Sequence, residues 1–204
     1  MKRIAIAILT VAVVGAILFT GCVGAPPPAA PPAAPTPPPS PAPPAPPAPP
    51  PTTESLTYTN SEYGFLVEYP KDWDFQEGLV GTIVMFAGPF IMEEEYMINM
   101  NILAEELPEF PKMTVEDYAG VGEMQLKRVA DYYEKVDEHS ATIDDLPAIV
   151  RSYIADFEGV RQMQTQAYFL KENVAYVITY SAPVEFHDEY ADCFGLVIGT
   201  FRFE

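Results

Sequence analysis

Residues 148–180 have the sequence AIVRSYIADFEGVRQMQTQAYFLKENVAYVITY, which decides the fold class of the chain. Its three runs, 148–157, 161–170 and 174–180, are rich in β-branched and aromatic residues, and only the short segments EGV and KEN separate them. Strand-like runs with joins this short are typical of β-hairpins. We therefore expect three consecutive antiparallel strands.

More strands are predicted on the N-terminal side of these hairpins. In YGFLVEYPKDW, residues 63–73, side chains alternate in strand fashion until Pro70, and the turn after it returns Trp73 to the core. Three further strands are expected at 81–88 (GTIVMFAG), 96–107 (YMINMNILAEEL) and 136–143. A turn at Asp144-Asp145 follows the last of them.

Two helices interrupt the strands. Thr114 is a good N-cap residue, and Glu116 and Asp117 follow it in the first turn, where the helix dipole favours anions. Apolar residues at helical spacing extend this helix to about Glu134. Pro183 opens the second helix, and the chain ends in GTFRF, a predicted last strand. Clustered strands with two helices favour an α+β fold, an antiparallel β-sheet flanked by helices, over parallel βαβ units.

The N-terminal 21 residues have the composition of a secretory signal. Lys2 and Arg3 precede an 18-residue apolar run, which ends in Thr20-Gly21 directly before Cys22. Small residues before a cysteine resemble the bacterial lipobox, in which the cysteine receives lipid before cleavage. The alternative is an uncleaved transmembrane anchor, because 18 apolar residues just span a bilayer core of about 30 Å. We predict the lipoprotein, because a cysteine at this boundary otherwise has no explanation.

Residues 25–51 consist almost only of proline and alanine. Proline fixes φ and donates no backbone hydrogen bond, so we expect an extended polyproline II helix with a rise of about 3.1 Å per residue. We interpret this tract as a semi-rigid stalk rather than a recognition motif. Three parts follow: a lipoprotein signal peptide (1–21), the lipidated cysteine with its Pro/Ala-rich linker (22–54) and one domain (55–204).

The chain has 29 acidic and 11 basic residues, and its formal net charge is −18. A surface this acidic repels the phosphate backbone of nucleic acids, which we therefore exclude as partners. The charge favours cations and basic proteins as partners, although acidity also keeps a surface soluble without any partner. If Cys22 carries lipid, Cys193 has no cysteine left to pair with, and we expect it to pack as a small apolar residue.

Two long segments resemble the PsbP-like domain family. YTNSEYGFLVEYPKDW, residues 58–73, is similar to the family's opening, an aromatic-Gly-Phe strand followed by Tyr-Pro-x-x-Trp. AYFLKENVAYVITYSAPVEFHDEYADCFGLVIGTFRF, residues 167–203, is similar to its ending, and MTVEDYA fits its middle helix. The resemblance implies a PsbP-like α/β/α sandwich. It also implies an accessory, non-enzymatic role, as in the extrinsic lumenal proteins of photosystem II, and we carry over no metal ligands from the family.

The sequence contains no motif of a known enzyme class or cofactor site. There is no G-x-S-x-G, no C-x-x-C and no glycine-rich phosphate loop. His139 and Ser140 are neighbours on a predicted strand and point to opposite faces, and His187 lacks a carboxylate or histidine three or four residues later. Met97 and Met100 also lie on opposite faces of a strand, so they cannot share a soft metal ion. We predict no enzyme, no bound metal and no cofactor.

Four acids form one stripe of the second helix, which would suit a cation: Glu185, Asp188, Glu189 and Asp192. Acids near a helix N-terminus are favoured by the helix dipole, at about 0.3–1 kcal/mol each. We therefore interpret the stripe as a solvated face. The run EEE at 93–95 is interpreted in the same way, as an exposed loop.

Five amide side chains form the candidate partner-binding site. Gln162, Gln164 and Gln166 share one face of a predicted strand, and Asn99 and Asn101 share a face of another. If the two faces coincide, the sheet carries a patch rich in amides and poor in charge, which suits a neutral polar ligand or another protein. Two alternatives are a solvated face with cross-strand pairs, and a face covered by a helix, where the amides satisfy buried backbone groups.

Together these features predict a membrane-tethered, extracytoplasmic lipoprotein. Its lipid anchors it to the membrane, and its domain is a non-catalytic accessory module whose partner is another exported protein. One alternative is a surface receptor domain for a small ligand or a divalent cation, and another is a hydrolase of unrecognised type. The sequence leaves the oligomeric state open.

Overall fold

The computed structural model describes residues 54–107 and 112–204, and these form ten β-strands and two α-helices. The predicted signal peptide, Cys22 and the Pro/Ala tract lie outside the described residues. The strands are β1 (Ser55–Asn60), β2 (Phe65–Pro70), β3 (Asp74–Glu77), β4 (Val84–Ile91), β5 (Tyr96–Glu106), β6 (Tyr132–Ile143), β7 (Leu146–Phe157), β8 (Val160–Lys171), β9 (Val174–Ala182) and β10 (Arg202–Phe203). The helices are α1 (Val115–Val129) and α2 (Ala191–Thr200). Neither of these two helices is long and apolar enough to cross a bilayer.

The strand pairs of the described residues are antiparallel, as predicted, and they form two sheets. The large sheet has seven strands in the order β3-β4-β5-β9-β8-β7-β6, and the small sheet has the order β1-β2-β10. Two-residue loops close the three hairpins from β6 to β9, at Asp144-Asp145, Glu158-Gly159 and Glu172-Asn173. Most of these loop residues have positive φ, which the twist of a tight hairpin requires.

The layers differ from the predicted α/β/α sandwich. α1 packs on one face of the large sheet, over β6, β7 and β8. The opposite face packs against the small sheet, with Phe65 and Val67 of β2 in the main hydrophobic core, and against α2. The fold is therefore richer in β-strands than predicted, because a second sheet supplies much of the layer that a helix was expected to supply.

Helix α1 begins where the sequence predicted but ends earlier. Thr114 is its N-cap and forms a capping box with Asp117, whose backbone N–H donates to the Thr114 hydroxyl over 3.2 Å. The helix stops at Val129 rather than at Glu134, because the chain from Tyr132 onward pairs with β7 and becomes β6. Strand pairing thus overrides a helical spacing of apolar residues.

The second helix also begins later than predicted. After Pro183 the chain forms two single turns of 3₁₀-helix, Val184–Phe186 and Asp188–Tyr190, and the α-helix starts at Ala191. The predicted last strand is present as β10, which pairs with β2. The C-terminus therefore completes the small sheet.

The core between the two sheets is dominated by aromatic rings. Trp73 is buried there, as predicted. A Cβ atom at Gly88 would lie only 2.6 Å from Trp73 Cζ2, so glycine at this position of β4 leaves the space that the indole occupies. Phe65 and Phe201 stack with their ring centroids 5.0 Å apart. The first contact joins the β2–β3 connection to the large sheet, and the second joins the small sheet to the end of α2.

Candidate functional site

The five predicted amides lie on one face of the large sheet, which we call the amide face. The register of β5, β9 and β8 aligns two rows: Asn99, Ser181 and Gln164 in one, and Asn101, Thr179 and Gln166 in the other. Gln162 precedes Gln164 by two residues on β8 and so shares its face. The register therefore brings the five amides to one face, which the sequence had left open.

The amide face is mostly interior. Four of the amides, Asn99, Asn101, Gln162 and Gln164, are at most 7% exposed, and the fifth, Gln166, is half-buried. Each glutamine accepts a hydrogen bond from a tyrosine hydroxyl: Gln162 from Tyr96, Gln164 from Tyr153 and Gln166 from Tyr168. These pairs replace the water that the amides would otherwise bind.

Burial keeps the tyrosine hydroxyls of the amide face protonated. It raises the pKa of Tyr96 to about 12, and it also raises the pKa of Tyr153 and of Tyr168. Asn99 Nδ2 donates to the carbonyl of Met97 over 3.1 Å, which is the backbone-satisfying role considered above. Asn101 Oδ1 and the Gln162 side-chain nitrogen have no hydrogen-bond partner among the described residues.

Burial changes what the amide face can do. A protein that docks on a surface contacts exposed atoms, and four of the five amides offer almost none. The amides are uncharged, which suggested an open docking surface, but such a surface is not found. A simpler reason for the absence of charge at these positions is the cost of burying an ionised group. A role of these residues in partner binding stays a prediction, which requires the covering residues to move.

A buried arginine that the sequence analysis did not single out lies beside the amide face. Arg151 of β7 is 3% exposed, and its Nε donates to Glu138 Oε2 over 2.5 Å. Its Nη1 donates to the carbonyl of Ala119 in α1 over 2.7 Å, and its Nη2 lies 3.5 Å from Glu123 Oε2. This network holds α1 on the sheet. The available signal was the alternation of β7, which puts this arginine on the inward face.

His187 is a buried polar residue on the other face of the large sheet. It lies between the two 3₁₀ turns, with its Nε2 3.0 Å from Thr165 Oγ1, and the Tyr180 hydroxyl donates to its carbonyl over 2.7 Å. Burial lowers the pKa of its imidazole, which is therefore neutral at pH 7. Its Nδ1 is 3.6 Å from Asp188 Oδ1, beyond hydrogen-bond distance. The residue fixes the turns on the sheet, a role that the sequence analysis missed.

The remaining candidates show no sign of an activated group. His139 is exposed on β6, with its Nδ1 2.8 Å from Asp137 Oδ2. Cys193 is half-buried, and burial raises the pKa of its thiol to about 11, so it is not a nucleophile at neutral pH. The acidic stripe at 185–192 is exposed as predicted. Within 54–107 and 112–204, no three His, Cys, Asp or Glu side chains are grouped as in a metal site.

A cleft of about 410 Å³ lies between the β1–β2 turn, the β3–β4 connection and β5. Its lining residues are Asn60, Glu62, Tyr63, Glu77, Gly78, Gly81, Thr82, Ile83 and Ala104. Glu62 and Glu77 contribute two carboxylates, and Tyr63 contributes a partly exposed ring. Carboxylates beside an aromatic ring suit a cationic group. We call this site the acidic cleft.

An exposed apolar surface adjoins the acidic cleft, and we call it the aromatic patch. Leu56 of β1 is 43% exposed and Phe75 of β3 is 49% exposed. The Phe75 ring centroid lies 5.3 Å from that of Tyr58 and 5.9 Å from that of Tyr69. Leu56 is directly opposite Tyr69 in the register of β1 and β2. Leu56 and Phe75 supply the exposed area of the patch, and the rings of Tyr58 and Tyr69, which are 4% and 5% exposed, form its buried floor.

Tyr58 joins the acidic cleft to the aromatic patch. Its ring belongs to the patch, and its hydroxyl donates to Glu77 Oε1 in the cleft over 2.7 Å. Asn60 Nδ2 donates to the same hydroxyl over 2.9 Å. Burial raises the pKa of Tyr58 to about 12, so it remains a donor at neutral pH. We call the cleft and the patch together the composite surface.

The composite surface combines acidic and apolar side chains. Residues 54–81, which supply most of it, contain six acids and one lysine. That lysine, Lys71, is 2.6 Å from Glu54 and is paired with it. The sequence alone does not reveal this surface, because β1 and β3 are short edge strands. Their exposure depends on the order of the strands, which periodicity does not give.

Comparison with protein-family models gives no match, and no curated protein matches the chain. Several solved structures do match. PsbP of the cyanobacterium Synechocystis sp. PCC 6803 is 15% identical, with a TM-score of 0.57 over 75% of this chain and 94% of that protein. LpqN of Mycobacterium tuberculosis, which is involved in cell envelope biogenesis, is 12% identical, with a TM-score of 0.52 over 73% and 90%. The Ran-binding protein Mog1p of Saccharomyces cerevisiae is 9% identical, with a TM-score of 0.50 over 74% and 96%.

Identities this low show the fold alone, because one fold serves many functions. The matches nevertheless extend over nearly the whole length of the PsbP and Mog1p structures and over about three quarters of this chain. The resemblance seen in 58–73 and 167–203 is confirmed at the level of the fold, and the described domain has the PsbP-like fold.

Proposed function

We propose that the protein is an extracytoplasmic lipoprotein, tethered to the membrane through Cys22, whose domain is a non-catalytic accessory module that binds another exported protein. The apolar run before Cys22 and the Pro/Ala tract after it support export and tethering. The fold that the domain shares with LpqN, a protein involved in cell envelope biogenesis, is consistent with this location.

The composite surface is the observation that carries the binding role. Leu56 and Phe75 leave apolar area in water beside the carboxylates of Glu62 and Glu77. Apolar patches rimmed by polar residues are typical of interaction sites. A domain without a partner would gain solubility from polar residues at these positions.

Site-specific photo-cross-linking in the producing cells tests the binding role. A photoreactive amino acid replaces Phe75 in one variant and Phe90 in a matched control, because Phe90 is 40% exposed on β4, outside the composite surface. We expect a product of one defined mass from position 75 only, and its loss when Cys22→Ser prevents lipidation. Equal products from both positions, or none from position 75, contradict the proposal.

Mass spectrometry of the membrane fraction tests the tether. We expect a chain that starts at Cys22 and carries the mass of acyl chains. A chain that still starts at Met1 would contradict cleavage before Cys22 and would favour the uncleaved transmembrane anchor.

The acidic cleft favours a second candidate function, a receptor domain for a small ligand or a divalent cation. Its volume of about 410 Å³ lies within the range of ligand pockets. Calorimetry with calcium and manganese tests this candidate. Micromolar binding that Glu62→Gln and Glu77→Gln abolish, and that Glu93→Gln in the exposed β4–β5 turn leaves unchanged, would support it.

A further inference from the structure

We propose that the composite surface binds a segment of the exported partner in which an arginine or lysine is next to an aromatic or large aliphatic residue. The cation would enter the acidic cleft, and the apolar side chain would cover the aromatic patch. This inference rests on the proposed function and adds the chemistry of the partner.

The acidic cleft is organised before a ligand arrives. Asn60 Oδ1 accepts hydrogen bonds from the backbone N–H groups of Glu62 and Tyr63, over 3.1 and 2.9 Å, which fixes the β1–β2 turn. The Tyr58 hydroxyl holds one oxygen of Glu77 at the wall of the cleft. Because these groups are already placed, binding costs little conformational entropy.

The groups in the acidic cleft select a cation of a particular kind. A guanidinium presents five donors in a plane and is weakly hydrated, so it suits two carboxylates better than an ammonium does. The ring of Tyr63 is partly exposed at the same cleft and can contribute a cation–π contact. An arginine side chain is therefore the preferred occupant, with lysine second.

The aromatic patch supplies the second half of the recognition. Phe75 and Leu56 are each more than two-fifths exposed, and Tyr58 and Tyr69 form the floor between them. Covering such a surface with another aromatic ring removes apolar area from water, which favours binding. Since Tyr58 contacts both Phe75 and Glu77, adjacent residues of one segment can reach both halves.

The surrounding charge excludes acidic segments. Apart from Lys71, which Glu54 neutralises, the charged residues of 54–81 are carboxylates. They attract a basic segment and repel an acidic one. The interaction is therefore expected to weaken as the salt concentration rises.

Titration of the full mature chain in detergent with end-blocked peptides, followed by NMR, tests the inference. The probe is Gly-Ser-Arg-Phe-Ser-Gly, and its matched controls replace the arginine by glutamate or the phenylalanine by alanine. We expect the backbone resonances of Phe75 and Glu77 to shift with the probe, and each control peptide to bind at least five-fold more weakly.

Paired variants locate the two contacts. Glu77→Gln keeps an acceptor for the Tyr58 hydroxyl but removes the charge, and we expect it to weaken binding of the probe peptide at least five-fold. Phe75→Ser should have a similar effect. Glu93→Gln and Phe90→Ser change exposed residues elsewhere and should alter binding less than two-fold.

The outcomes separate this inference from the proposed function. If the glutamate peptide binds as well as the probe, or Glu77→Gln has no effect, the assigned chemistry is wrong. If that happens while the cross-link at position 75 persists in cells, the accessory binding role stands with a partner of different chemistry. If the probe and the cross-link both fail, both proposals are wrong.

Discussion

The amide face and the aromatic patch depart from the usual distribution of side chains in opposite directions. The amide face places uncharged polar groups inside the protein, where Gln162 and Gln164 are almost fully buried. The aromatic patch places Leu56 and Phe75 in water. Interiors are usually apolar, and exposed apolar residues are common only as scattered singles. Each region therefore needs its own explanation.

Their internal contacts give different explanations. Each glutamine of the amide face accepts a hydrogen bond from a tyrosine of the same domain, so its polar groups are largely satisfied within the fold. The apolar area of the aromatic patch has no such compensation among the described residues. We conclude that the amide face stabilises the fold, whereas Leu56 and Phe75 of the aromatic patch stay exposed, as the proposed binding role requires.

The largest expected effect comes from charging the amide face. Gln164→Glu should lower the free energy of unfolding by about 3–5 kcal/mol at pH 7, because it buries a carboxylate that lacks a basic partner. The fold would raise the pKa of this new carboxyl, so the folded state would hold its proton more tightly than the unfolded state. The penalty should therefore shrink as the pH falls from 7 to 5.

Urea unfolding of the Gln164→Glu variant at both pH values makes this measurement. Gln76→Glu, at an exposed position of β3, is the matched control and should change stability by less than about 0.5 kcal/mol. If the two variants behave alike, the amide face is solvated, and it returns as a candidate docking surface.

A smaller loss is expected from the arginine that holds α1 beside the amide face. Arg151→Met should destabilise the domain by about 2–3 kcal/mol, because it removes the donor to the Ala119 carbonyl and the partner of Glu138. Arg161→Met is the control, since its ion pair with Asp156 is exposed, at 3.5 Å, and worth less than about 1 kcal/mol. Equal midpoints of thermal unfolding would show that the buried network does not fix the helix.

His187 is a buried polar residue on the face of the large sheet opposite the amide face. Burial lowers its pKa below the unfolded value, so its contribution to stability is complete above about pH 6.5. That contribution is lost as the pH falls through 6.5 toward the folded pKa, by at most about 1.4 kcal/mol per pH unit for one proton. His187→Gln should flatten the dependence of stability on pH between 7 and 5. Parallel curves of stability against pH for the variant and the original protein would contradict the assignment.

The smallest effect on stability is expected at the aromatic patch. Leu56→Thr replaces an exposed leucine of an edge strand by another strand-forming residue, and it should change the free energy of unfolding by less than about 0.5 kcal/mol. The same substitution should weaken cross-linking to the partner from position 75. A stability loss as large as that of Gln164→Glu would place Leu56 in the core and remove the basis for a binding surface.

The sequence predicted local features better than the relation between layers. Alternation and short joins predicted the hairpins, and period two placed Asn99 with Asn101, and Gln162 with Gln164, on one face of their own strands. It did not give the alignment of Asn99 with Gln164, which depends on both strands pairing with β9. The end of α1 was wrong because the chain after Val129 gains more from pairing with β7 than from another helical turn. Whether a sheet face is covered depends on contacts between distant segments. For this reason neither the burial of the amides nor the exposure of Phe75 could be predicted.

Hydroxyl-radical footprinting of the full chain, in the native membrane fraction and after purification, tests the account most directly. It reports the solvent exposure of both regions in one experiment. We expect Leu56, Tyr63 and Phe75 to be oxidised quickly in the purified protein and to be protected in the membrane fraction, while Tyr96 and Tyr153 are oxidised slowly in both. The reverse result, with the two tyrosines oxidised quickly after purification and protected in the membrane, would make the amide face the binding surface and contradict the account.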